Sequence, residues 1–213
     1  MKMSTKKICV LAMISALAFI VMVIGRMLPP MVLFLKYDPK DVIITIGGFL
    51  YGPLAAFMVT TIVAVAEMFT ATETGPIGLL MNIIAGSSFA CTAAFIYKKK
   101  RSLGGAVTGL VAAWLFTTAV MVLWNYLITP LYMGVPREQV AALLVPVFVP
   151  FNLIKGGLNA AFTMLLYKPV KTALQMANMM PPPEEPVKGK INTGVIIASV
   201  FVIAACVLWV LLI

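Results

Sequence analysis

The chain has 213 residues, of which 62% are hydrophobic and only 11% are charged, and it carries a net charge of +9. Soluble domains hold about 25% charged residues, so the composition excludes that class and predicts an all-α integral membrane protein. Cys9, Cys91 and Cys206 stand singly in apolar runs and histidine is absent, which argues against a disulfide framework, a zinc knuckle and histidine-based catalysis.

The N-terminus, MKMSTKKICVLAMISALAF, imitates a signal peptide. Its apolar run continues through Ile24, longer than a signal h-region, so it is expected to stay as a first span at 8–28. Ala12 and Ala16 lie on one face of that helix at small-xxx-small spacing, which permits close approach of another helix. The polar stretch PPMVLFLKYDPKD follows. The region 42–72 is too short for two full spans of about 20 residues each, and Gly52-Pro53 breaks it. A short segment at 42–51 and a longer one at 54–72 are expected. Further apolar segments fall at 77–97, 104–128, 147–167 and 192–213. A long polar loop, TPLYMGVPREQV, is expected within 129–145, and a proline-rich charged linker over 177–191.

Charge placement sets the orientation. With the N-terminus in the cytoplasm and 42–72 running in and back out, Lys2, Lys6, Lys7, Lys98, Lys99, Lys100, Arg101, Lys168, Lys171, Lys188 and Lys190 all fall inside. These are 11 of the 16 basic residues. The basic excess therefore reads as a topology signal and not as a nucleic-acid surface. Residues 1–176 form a six-helix domain with both ends inside. Residues 192–213 form an additional helix that carries the C-terminus out, and the loops 29–41 and 129–145 share the outer face.

The stretch VPFNLIKGGLNAAF holds the most informative polar groups. Lys155 precedes Lys168 by 13 residues, or ~20 Å of helix, which places it about 10 Å below the outer boundary of a ~30 Å core. Asn152, Lys155 and Asn159 occupy one helical face with Gly156 beside them, where a flat molecule can approach the backbone. Lipid cannot satisfy such a stripe, so it faces protein or a cavity. Asn125, Tyr126 and Thr129 sit at the same depth at the end of the fifth helix, although asparagines also bond helices together. Glu67 is a second intramembrane charge, separated by five residues from Glu73 at the boundary. It is expected to neutralise Lys155 or another base, contact a ligand, or be protonated. Asp41 either caps the second helix or enters the site. Lys36 and Lys40 read as solvated, with Lys36 the alternative second cation near the site. Phe34, Tyr37, Trp124, Tyr126, Tyr132 and Phe151 are the expected aromatic walls of an outward pocket for a small planar molecule with a hydrogen-bonding edge. No phosphate loop, zinc-protease, serine-hydrolase or kinase motif occurs.

Residues 6–176 resemble the S components, the substrate-binding subunits of energy-coupling factor (ECF) vitamin transporters. Within them, FLKYDPKDVIITIGGFLYGPLAA, NYLITPLYMGVPREQVAALL and PFNLIKGGLNA are similar to the riboflavin-specific branch. The resemblance implies a six-helix S-component bundle in the cell membrane with no enzymatic activity and no cofactor of its own. It implies riboflavin as the captured substrate, with Asn125, Lys155, Asn152, Asn159, Glu67, Asp41, Tyr37, Phe34, Tyr126, Tyr132, Trp124 and Gly156 as the substrate-binding set. It further implies a transmembrane coupling subunit docking at Ala12 and Ala16, and two ATPase subunits that power toppling of the S component in the bilayer. The helix at 192–213 departs from the six-helix pattern. Rival readings are an S component for a thiamine, pyridine or pteridine vitamin, or a small intramembrane enzyme or scaffold.

Overall fold

The computed structural model describes residues 5–70, 75–179 and 193–212. Nine α-helices follow one another among these residues: α1 Thr5–Arg26, α2 Lys40–Tyr51, α3 Pro53–Thr70, α4 Gly75–Lys99, α5 Leu103–Leu127, α6 Thr129–Met133, α7 Arg137–Leu143, α8 Val149–Met176 and α9 Thr193–Leu212. A π-helical turn, Leu144–Phe148, joins α7 to α8. Six helical segments are long and apolar enough to cross a membrane, with Arg137–Met176 counted as one. The expected Glu73 boundary and nearly all of the 177–191 linker lie outside the described residues.

The break at Gly52-Pro53 is local chemistry. Gly52 has φ +93°, open to glycine and strained for other residues. Its N–H still donates to the Gly48 carbonyl at 2.7 Å, closing α2. Pro53 then opens α3, where its missing N–H costs nothing. The short α2 and the longer α3 pack against each other and against α4, so the region does make two segments. The 129–145 stretch differs from the expected loop. Gly134 supplies a left-handed turn (φ +64°) between α6 and α7, and the backbone is helical on both sides. Arg137, Glu138 and Gln139 lie on the exposed surface of α7 instead of in irregular chain, whereas Thr129 of α6 is buried. The last helix of the core also runs past 167, through Pro169, to Met176.

The two largest apolar clusters among the described residues join the helices of the bundle. Val10, Leu11, Ile14 and Ala18 of α1 meet Ile44, Val59, Val63 and Ala90 of α2, α3 and α4. Phe89, Ala93 and Ala94 of α4 meet Ala106, Leu110 and Ala113 of α5. Ala12 and Ala16 fall on the opposite, exposed face of α1. Gly156 on α8 is a close-approach point: a Cβ there would lie 2.2 Å from Cδ1 of Trp114 on α5. The glycine seats an indole from the protein, where the sequence suggested room for a flat ligand. Overpacked sites lose ~1–3 kcal/mol, so Gly156→Ala is expected to lower thermal stability in detergent. A melting temperature equal to the parent's would show that Trp114 moves aside freely.

Candidate functional site

The α1–α2 loop and the starts of α2 and α8 gather the charged groups. Glu67, buried in α3, accepts from Arg26 Nη2 and from Lys40 Nζ, each at 2.5 Å. Lys40 also pairs with Asp38 at 2.6 Å, and its side chain is only 3% exposed. Lys155 pairs with Asp41 at 3.1 Å. Three cations, Arg26, Lys40 and Lys155, thus balance three carboxylates. Burial by itself would raise the Asp38 carboxyl, but the ammonium groups of Lys40 and Lys155 outweigh it and hold that carboxyl below its ordinary value. Burial, helped by the charges of Asp41 and Asp38, lifts the Tyr37 phenol above its usual range. Tyr37 therefore stays a neutral donor, and its hydroxyl donates to Asn159 Oδ1 at 2.9 Å.

Beside this network lies a cavity of about 280 Å³, just under the ~300–1,000 Å³ typical of small-molecule sites. Asn125 from α5, Asn152, Lys155, Gly156 and Asn159 from α8, and Asp41 from α2 all line it. Phe34, Tyr132 and Phe151 form aromatic parts of the wall. Several polar groups are already committed. Asn125 donates to the Met121 carbonyl and accepts from Thr129, and Asn152 donates to the Phe148 carbonyl. Asn159 reaches Asp41 at 3.5 Å. By contrast, Asp41 Oδ1 and Thr117 Oγ1 are buried with no hydrogen-bond partner among the described residues. Unsatisfied buried oxygens are costly, and both belong to residues of this wall, so a ligand carrying donors would relieve them. A larger cleft of about 420 Å³ lies between α5, α8 and α9. Apart from Ser199 its lining offers aliphatic side chains, glycines, Met164 and Trp114, so it lacks the polar set that would orient a vitamin.

Of the sequence-predicted residues, the structure gathers Asn125, Asn152, Lys155, Asn159, Asp41, Phe34, Tyr132 and Gly156 at the cavity. Tyr37 stands behind it, bonded to Asn159. Glu67 also stands behind it, held by Arg26 and Lys40; Lys155 is neutralised by Asp41 and not by Glu67. Lys40, expected to be solvated, is buried. Asp41 is the second residue of α2 and makes no N-cap bond; Pro39 is the cap. Trp124 and Tyr126 lie off the wall, because residues adjacent to Asn125 point along other directions of the same helix. Tyr126 is exposed and receives the Arg137 guanidinium over its ring at 5.4 Å. Asn82 of α4 and Thr117 of α5 also line the cavity and went unnoticed in the sequence. A lone amide in the apolar run LLMNIIAG was the available signal for Asn82; a threonine in a span carries none, since its hydroxyl commonly bonds back to its own helix.

The model for the substrate-specific component of ECF transporters matches residues 6–167. The riboflavin transporter RibU of Staphylococcus aureus (strain TCH60) is 31% identical over 170 residues, covering 76% of this chain and 89% of the relative. The riboflavin transporter FmnP of Bacillus subtilis (strain 168) is 34% identical over 176 residues, covering 78% and 93%. A solved structure of the S component of a bacterial ECF transporter superposes with a TM-score of 0.67 at 31% identity, covering 80% of this chain and 98% of that one. With a bundle of membrane-length helices, a cavity that joins apolar walls to a few polar groups and a family match over most of its length, the chain belongs to the substrate-specific components of ECF transporters, which are transport subunits and not enzymes.

Proposed function

We propose that this chain captures riboflavin in the cavity between α2, α4, α5 and α8 and delivers it as the S component of an ATP-driven importer. The observation that carries this reading is the convergence of Asn125, Asn152, Lys155 and Asn159 with the unpartnered oxygens of Asp41 and Thr117 inside aromatic and aliphatic walls. Riboflavin presents a flat ring system with carbonyl and N–H groups along one edge and a neutral hydroxylated chain. Aromatic walls suit the ring faces, and the amides, carboxylate and ammonium suit its edge and hydroxyls. The balance of three cations and three carboxylates favours a neutral ligand. The names of the relatives point to the same vitamin. Protein purified in mild detergent is expected to carry a flavin absorption spectrum, and stripped protein to quench added riboflavin fluorescence at one site per chain. A colourless protein that instead retains thiamine or a pyridine or pteridine compound would transfer the reading to that vitamin.

In this proposal Ala12 and Ala16, on the exposed face of α1, receive the transmembrane coupling subunit, and two ATPase subunits supply the energy. The N-terminus lies in the cytoplasm and α9 carries the C-terminus outward. Single-cysteine variants in a cysteine-free background check the orientation. Gln139→Cys is expected to react with an impermeant thiol reagent in intact cells, and Ser102→Cys only after permeabilisation. The reverse pattern would invert the topology.

A further inference from the structure

Helix α9 lies outside the residues 6–167 that match the family, yet it packs along α8 next to the site. Gly157 of α8 faces Cys206, whose Sγ would lie 3.4 Å from a Cβ at that glycine. Ile203, Cys206 and Val210 of α9 close over a cluster formed by Tyr37, Ile154 and Leu158. Tyr37 belongs to the α1–α2 loop and is only 7% exposed. That loop supplies Phe34, Leu35, Lys36 and Asp38 to the cavity wall. It is a strained element: Leu33 has φ +50°, a left-handed conformation unfavourable for a branched side chain. Within the loop, Leu35 donates to the Val32 carbonyl and accepts from the Met31 N–H, both at 2.8 Å.

We infer that α9 is a built-in clamp for this loop: by burying the ring of Tyr37 against α8 it holds the Tyr37–Asn159 hydrogen bond and slows the escape of ligand. A strained loop keeps one conformation only where its surroundings fix it. Without Ile203, Cys206 and Val210, the Tyr37 ring would exchange a packed protein surface for lipid, and its hydroxyl would lose the geometry that reaches Asn159. Ile203, Cys206 and Val210 are positioning residues that act through Tyr37; none of them lines the cavity.

The clamp rests on the riboflavin reading only for its kinetic consequence, so two measurements separate the ideas. The first is hydrogen exchange of the loop amides, residues 31–38, in ligand-free protein. The triple variant Ile203→Ala/Cys206→Ala/Val210→Ala is expected to speed exchange there at least tenfold, leaving α3 and α4 unchanged. The second is riboflavin release by stopped-flow fluorescence. The triple variant is expected to raise the release rate at least fivefold with the association rate within twofold. Tyr37→Phe is expected to do the same, and the combination to add little further, since both act on one contact. A control on the exposed face of α9, Val200→Ala/Phe201→Ala, is expected to match the parent. Parental loop exchange in the triple variant overturns the clamp whatever the ligand is. Faster exchange without any riboflavin binding by the parent keeps the clamp and defeats the riboflavin reading. Release effects that multiply independently would show that α9 does not act through Tyr37.

Discussion

Riboflavin affinity is expected to fall more than tenfold, or by at least ~1.4 kcal/mol, when Lys155 is replaced by methionine. Lys155 lines the cavity, its side chain is 20% exposed, and its ammonium sits 3.1 Å from Asp41. The substitution removes the donor proposed to reach the ligand and also strands the Asp41 carboxylate, whose side chain is 4% exposed. Stranding a buried charge can perturb folding without any role in binding. The double variant Lys155→Met/Asp41→Asn tells these apart. It removes both charges, so thermal stability is expected to return close to the parent's. Affinity is expected to stay low, because the donor is still missing and Asp41 Oδ1 no longer belongs to a charged acceptor. Recovery of parental affinity in the double variant would reduce the pair to a structural role. Fluorescence quenching titrations beside melting curves give both answers from one preparation.

The second large effect concerns stability. Lys40→Met is expected to destabilise the protein by about 3 kcal/mol, toward the lower end of the ~3–5 kcal/mol seen when one partner of a buried ion pair is removed. Lys40 and Glu67 are each 3% exposed, so the lost ammonium leaves one buried carboxylate oxygen without its cation. Arg26 still reaches Glu67 Oε1, which is why the loss falls short of the maximum. The remedy follows from the same physics. In Lys40→Met/Glu67→Gln the stranded charge is gone and the glutamine carbonyl can still accept from Arg26, while Asp38, 23% exposed, can turn to water. At least half of the lost stability is expected to return. A double variant less stable than Lys40→Met alone would mean that Glu67 stabilises the fold through groups other than Lys40.

The orientation-free part of the architecture was legible because the bilayer imposes it: only helices and closed barrels satisfy their backbones in hydrocarbon, and apolar runs near ~20 residues fit the helix. Gly52-Pro53 announced the split of α2 and α3, since both residues act on their own backbone dihedrals. The stripe of Asn152, Lys155 and Asn159 was legible for the same reason, as one helix fixes which of its residues share a face. The pairing of the charges was not. Lys155 meets Asp41 and Glu67 meets Arg26 and Lys40 because loop and helix ends cross at one point, a relation between distant segments that no local pattern encodes. Lys40 looked solvated for want of that neighbour.

Composition, helical periodicity and backbone chemistry therefore determined a membrane bundle, its breaks and a polar face on its last core helix. Only the tertiary structure decided that Gly156 seats Trp114, that Trp124 and Tyr126 stand off the cavity, and that α9 covers Tyr37. Each of those outcomes depends on the angle and distance at which two helices pack, and such geometry comes from the fit of side chains across the whole bundle.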